Sequence, residues 1–164
     1  MSRLQRLTHF YDRGAELLAA WLGPTALLLM RLWVAIAFWQ AGVVKFDDPI
    51  GTHYLFHEEY HVPLLPPDTA AFLGTWIELI VPWLLGFGLA GRLTALLLFA
   101  HNAIAVISYP DLWPHGFWTG LFNTSDFADH KSWALMLLAV IAWGPGRWSL
   151  DAVLRPYWMA KATR

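Results

Sequence analysis

The chain has 164 residues, of which 57% are hydrophobic and 14% charged, with 11 tryptophans, no cysteine and a formal net charge of −1. A soluble core of this size cannot hide so much apolar surface, so the composition implies lipid as the solvent. There is no basic excess to hold nucleic acid, and the missing cysteines exclude disulfides, thiolate metal sites, iron–sulfur ligation and thiol exchange by this chain alone.

In chain order, Leu4, Leu7, Tyr11, Leu18 and Trp21 recur at roughly helical spacing among Arg3, Arg6, Arg13 and Glu16. This predicts an amphipathic interfacial helix over 1–22. It does not read as a cleaved leader, because the next apolar run contains Arg31 and no small-residue cleavage site closes it. Four apolar spans are expected at about 24–45, 69–90, 92–109 and 131–148. The fourth holds only 11 unbroken apolar residues, Trp133 to Trp143, and reaches spanning length only when continued from Lys131 through Trp148. The expected fold is all-α: one membrane domain over 1–164, a four-transmembrane-helix bundle preceded by the interfacial helix.

Basic residues near the span ends set the orientation. Arg3, Arg6, Arg13, Arg92, Arg147, Arg155, Lys161 and Arg164 mark the inner side. The loops at about 45–68 and 108–131 hold only Lys45 and Lys131 against eight Asp and Glu residues, which marks the outer side. Both termini are therefore expected in the cytoplasm of a bacterium, with the long loops outside its inner membrane. Trp21, Trp76, Trp113, Trp118, Trp133 and Trp148 fall near span ends and read as interfacial anchors.

Ionisable groups at membrane depth cost several kcal/mol unless paired or hydrated. Arg31 and Gln40 in the first span, Glu78 in the second, and His101 with Asn102 in the third should therefore face the bundle interior, near Lys45 at the outer end of the first. Glu78 and His101 both lie roughly 13–15 Å below the outer ends of their spans, so an Arg31–Glu78 pair with His101 nearby is expected. Such a cluster reads either as a polar clasp fixing helix register or as a site for a polar headgroup, a quinone carbonyl or a moving proton.

Arg31, Phe38, Gly42 and Lys45 form R-x6-F-x3-G-x2-K, followed by Glu78, Leu85-Gly86 and the Gly91-Arg92 turn. In this order, over roughly residues 27–143, the chain resembles the DoxX family of small four-helix bacterial membrane proteins. The resemblance implies a membrane component associated with redox systems, since relatives include a subunit linked to thiosulfate:quinone oxidoreduction. Other relatives sit beside systems that make metal-binding modified peptides, and the loop from Phe56 to Pro67 is similar to that branch. Pro82 departs from the small residue of many relatives and predicts a kink just below Glu78.

The outer loop carries His53, His57 and His61 in H-x3-H-x3-H, with Glu58 and Glu59 beside them. On a helix, neighbours in this series share a face and can hold Zn2+ or Cu2+, but His53 and His61 would stand about 12 Å apart, too far to share one ion. A third ligand must then come from Glu58 or from His115, Asp126, Asp129 or His130 in the second loop. The other readings are solvated loop histidines or a pH-responsive partner contact. Pro63 and Pro66-Pro67 read as a rigid lead-in to the second span, and Phe117, Trp118, Leu121 and Phe122 make the second loop apolar enough to cap the bundle.

These features point to an inner-membrane subunit or accessory protein of an oxidoreductase or metal-handling system. It would hold a quinone-like lipid-soluble molecule near Arg31, Glu78 and His101 and work with a protein partner. A periplasm-facing metal-binding scaffold and a small-solute transporter are the alternatives.

Overall fold

Lipid forces a chain to satisfy its backbone hydrogen bonds within each segment, and among the described residues all regular structure is helical. A computed structural model describes residues 3–162, with side chains over 8–156. The side chains of Arg3, Leu4, Arg6, Leu7 and Lys161, and Arg164 altogether, lie outside the described residues. Seven α-helices follow one another: α1 (Arg3–Asp47), α2 (Pro49–Tyr54), α3 (Pro67–Phe87), α4 (Gly91–Ser108), α5 (Phe117–Phe122), α6 (Ala128–Trp143) and α7 (Leu150–Ala162). Four of them pack in a ring, α1 on α3, α3 on α4, α4 on α6 and α6 on α1.

Of these, α1, α3 and α4 are long and apolar enough to cross a membrane. Helix α6 has 16 residues and ends where Gly144 adopts φ 82°, so it starts and stops earlier than the expected 131–148. It is about 24 Å long, against about 30 Å of hydrocarbon. At the other end of the chain, the expected boundary between an interfacial helix and the first span is absent. Helix α1 runs unbroken through Gly23 and Pro24 for 45 residues, about 68 Å. Its described side chains before Gly23 are almost all exposed, Tyr11, Leu18 and Trp21 included, and the Arg147 guanidinium lies 4.5 Å over the Trp21 ring.

The core between the helices is Val34, Phe38, Val81, Leu85, Ala95, Leu98, Leu137 and Val140. The outward faces are equally apolar: Trp33, Ile36, Ile80, Trp83, Ile104 and Leu138 are all exposed. Such a belt is untenable in water and suits acyl chains.

Turn chemistry sets the helix ends. Pro67 begins α3 with its φ already helical, and Gly88, at φ 68°, ends it in a left-handed cap whose N–H reaches the Leu84 and Leu85 carbonyls. Helix α4 has no capping side chain of its own. Asp151 of α7 supplies one, accepting from the N–H groups of Ala90 (2.8 Å) and Gly91 (2.7 Å). Pro82 lies inside α3 without ending it, and it leaves the Glu78 carbonyl without its usual donor four residues on.

Candidate functional site

The stripe Arg31, Phe38, Gly42, Lys45 runs along one face of α1, and each member has a distinct contact. Gly42 lies against the backbone of Glu78. A Cβ built there would come within 2.9 Å of the Glu78 carbonyl carbon and Cβ, so a side chain would drive α1 off α3. This close approach places Lys45, one turn further on, beside the Glu78 carboxylate.

Lys45 Nζ donates to Glu78 Oε2 at 2.6 Å, and His101 Nε2 meets Glu78 Oε1 at 3.1 Å. Each carboxylate oxygen thus has one partner, and an ionised Glu78 with a charged Lys45 and a neutral His101 sums to zero charge. An acceptor-only carboxylate requires His101 to donate from Nε2, which leaves its Nδ1 as the free acceptor. Glu78, Lys45 and His101 side chains are 8%, 13% and 14% exposed, shielded enough that the ion pair carries a desolvation cost its hydrogen bonds must offset.

Next to this cluster is a second pair that sequence reasoning split. Asn102 Nδ2 donates to the His130 carbonyl (3.0 Å), and Asn102 Oδ1 stands 2.8 Å from His130 Nδ1. With the amide so oriented, His130 must donate from Nδ1 and keep Nε2 as an acceptor. His130 was expected only as a spare loop ligand; it lies in the first turn of α6, where the cluster at its neighbour Asn102 could have signalled it.

Two intramembrane expectations fail. Arg31, 0% exposed, makes no pair with Glu78. Its Nη1 donates to the carbonyls of Leu85 (3.3 Å) and Gly86 (3.2 Å), and its Nη2 to that of Trp148 (2.6 Å). The guanidinium fork finds backbone acceptors at the C-terminal end of α3 and at Trp148, about four turns of α1 away from the carboxylate. Gln40 fails differently: it sits on the outward face and is exposed, because the interior stripe passes through Phe38 and Gly42 instead.

A cavity of about 290 Å³ opens beside the Lys45–Glu78–His101 cluster. Its walls are mainly apolar, including Phe38, Phe56, Leu73, Ile77, Ile104 and Trp133, with Tyr60, Ser108 and His130 as further polar groups. Phe38 packs edge-on to Trp133 at 5.4 Å, so this tryptophan is a wall rather than an interfacial anchor. Burial, then the Glu78 charge, pushes the Tyr60 phenol up to about 12, leaving it a neutral donor at ordinary pH. Ser108 is 1% exposed, and its Oγ has no hydrogen-bond partner. On the cavity wall, this hydroxyl is a polar group within reach of whatever occupies the cavity.

In the long loop, α2 continues into a π-turn, Leu55–Glu59, and the helix ends as Tyr60 turns extended (φ −90°, ψ 131°). His53 and His57 therefore share a face, with rings stacked 4.0 Å apart. His61 falls beyond the helix and is exposed, its backbone N–H donating to the Ser108 carbonyl at 2.8 Å. Glu58 is exposed and stands outside the group of possible ligands; Asp68, from the first turn of α3, joins His53 and His57 instead. In the second loop His115 Nδ1 meets Asp126 Oδ2 at 3.3 Å, and neither joins the His53–His57 group as the expected third ligand.

The family model described as DoxX matches residues 26–110, just over half of the chain and the segment from the first span to the end of α4. No curated protein and no solved structure matches.

Proposed function

Because this membrane chain belongs to the DoxX family, we propose that it is an inner-membrane subunit or accessory protein of an oxidoreductase, whose bundle holds the headgroup of a quinone-class, lipid-soluble molecule. The observation that carries this reading is the cavity: apolar walls, open space of about 290 Å³, and Lys45, Glu78 and His101 grouped on one wall. That combination fits a ligand with an apolar body and carbonyl oxygens better than it fits a free ion.

In this role Lys45 Nζ and the Tyr60 hydroxyl are donors available to a carbonyl oxygen, and Ser108 Oγ gains the partner it lacks. Reduction of a quinone to a quinol consumes two electrons and two protons. The electrons come from a redox-active partner protein, because this chain has no cysteine pair of its own. Protons are exchanged by the two imidazoles on the cavity wall: His101, donating to Glu78 through Nε2, accepts at Nδ1, and His130 accepts at Nε2. The distribution of basic residues supports a reading with both termini in the cytoplasm, the α2 and α5 loops in the periplasm and α6 as a short fourth span.

A metal-handling version of the role draws on the loop histidines rather than the cavity. A transporter needs a hydrated track through the bundle; between the cluster and Arg31 lie Val34, Phe38, Val81, Leu85 and Leu98, which form an apolar plug.

The test is extraction. Protein purified in mild detergent should release an isoprenoid quinone at near-stoichiometric occupancy, and a short-chain quinone should quench tryptophan fluorescence saturably, with Trp133 the reporter. Absence of any redox-active compound, together with no saturable quenching, overturns the reading.

A further inference from the structure

Outside the bundle, α2 and α3 bring three metal-ligating side chains together. His53 and His57 are one turn apart on α2 and its π-turn. Asp68 reaches the same point from α3, where Pro66 and Pro67 fix the chain's entry. Asp68 Oδ1 is 2.9 Å from His57 Nε2 and 3.5 Å from His53 Nε2, and the three ligand atoms lie within 4.8 Å of one another.

Hydrogen bonding alone accounts for only part of this arrangement. The His57 contact is a good hydrogen bond, whereas 3.5 Å is too long for His53 to make a second one to the same oxygen. The two imidazoles stack with ring centroids 4.0 Å apart, which brings both to the same carboxylate. A divalent cation accounts for all three groups at once. Ligand atoms at about 2.0–2.1 Å from a tetrahedral ion stand about 3.3 Å apart, between the two separations seen here. The supports are firm: Asp48 Oδ1 accepts from Gly51 N at 2.9 Å and the Thr52 hydroxyl donates to the Lys45 carbonyl at 2.9 Å, tying α2 to the end of α1.

We infer that His53, His57 and Asp68 form a loop-face binding site for a divalent cation of the zinc(II) or copper(II) class, with a fourth position open to solvent. Two imidazole nitrogens and one carboxylate oxygen suit these ions; calcium and magnesium favour all-oxygen sites, and copper(I) favours sulfur. The open position follows from the side-chain exposures, 63% for His53, 34% for His57 and 74% for Asp68. It admits water or a ligand atom from a partner, the arrangement of a site that exchanges its ion rather than one that merely braces a fold. The site is independent of what fills the cavity.

The full-length protein in detergent, stripped with a chelator, is dialysed against Zn2+ alone and Cu2+ alone, and bound metal is counted. One equivalent is expected, and copper-loaded protein should show nitrogen hyperfine structure from two imidazoles. His53→Ala, His57→Ala and Asp68→Asn should each weaken binding by at least about tenfold. His61→Ala and Glu58→Gln should leave it unchanged. All five positions are exposed, so unchanged melting temperatures of the metal-free variants separate lost ligands from lost fold. Less than a tenth of an equivalent in the wild type, or one equivalent retained in His57→Ala or Asp68→Asn, overturns the assignment.

Discussion

Arg31 and Lys45 are two cations on the same face of α1, separated by about four helical turns, and the molecule uses them in opposite ways. Arg31 is fully buried and spends its fork on the carbonyls of Leu85, Gly86 and Trp148. Three pieces of chain meet on it. Lys45 keeps a compact ammonium beside a carboxylate at the edge of open space. A guanidinium suits the first task because its planar donors satisfy several fixed acceptors at once; an ammonium suits the second because it can turn toward a new acceptor. One end of this stretch of α1 is thus a fastening, and the other borders the proposed site.

The comparison breaks most readily at Arg31. Arg31→Met takes the side-chain donor from three carbonyls, of which that of Leu85 keeps the Gly88 N–H while those of Gly86 and Trp148 lose the guanidinium, and the expected loss is about 2–4 kcal/mol, at about 1–2 kcal/mol for each of these two. Thermal unfolding in one detergent measures it. Quinone affinity per folded molecule should stay within about twofold; a loss of binding with little loss of stability would reverse the roles assigned to the two ends.

Glu78 sharpens the contrast. Glu78→Ala leaves the Lys45 ammonium half-shielded and unpaired, with an expected cost of about 2–4 kcal/mol. Combining Glu78→Gln with Lys45→Met should be less destabilising than the sum of the two single changes, by about 1–3 kcal/mol of coupling. Quinone binding should remain at least about tenfold weakened in the double variant, because stability is recovered without the polar wall. Recovery of binding along with stability would show that the pair merely clasps α1 to α3.

Gly42→Ala tests how the pair is positioned. The new Cβ meets Glu78 backbone atoms at 2.9 Å, which cannot yield as a flexible side chain can, so a loss of about 1–3 kcal/mol is expected. Gly14, with nothing within 4 Å of its Cβ position, is the matched control, and Gly14→Ala should be neutral or slightly stabilising.

How much of this was legible in the residues follows from the range of each interaction. Three membrane helices could be read because hydropathy is additive over about 20 residues and needs no partner. The proximity of Glu78 and His101 was expected for a related reason, since each is costly in lipid and must face inward, whereas Lys45 was read only as a charge at the outer end of the first span. Which cation takes the carboxylate was not legible. Opposite charge suggested Arg31, but backbone carbonyls carry no sequence label, and those of Leu85 and Gly86 are within its reach because α3 stops at Phe87. The metal-ligand set was half legible. His53 and His57 follow from helical spacing, whereas losing His61 required knowing that the turn at Leu55–Glu59 widens and stops, and gaining Asp68 required the fold of the loop.

The smallest expected effect discriminates most finely between a fastening and a site. Ser108 is buried, and its Oγ makes no hydrogen bond within the described residues. Removing such an atom costs little: Ser108→Ala should change stability by less than about 0.5 kcal/mol, measured beside the Arg31 variant in the same detergent. If the hydroxyl meets a ligand carbonyl, the same change should weaken short-chain quinone binding by about three- to tenfold, the worth of one hydrogen bond of roughly 0.5–1.5 kcal/mol. Weaker binding at constant stability marks a residue of the site. Lower stability at constant affinity would place Ser108 with Arg31 instead, among the groups that hold the bundle closed.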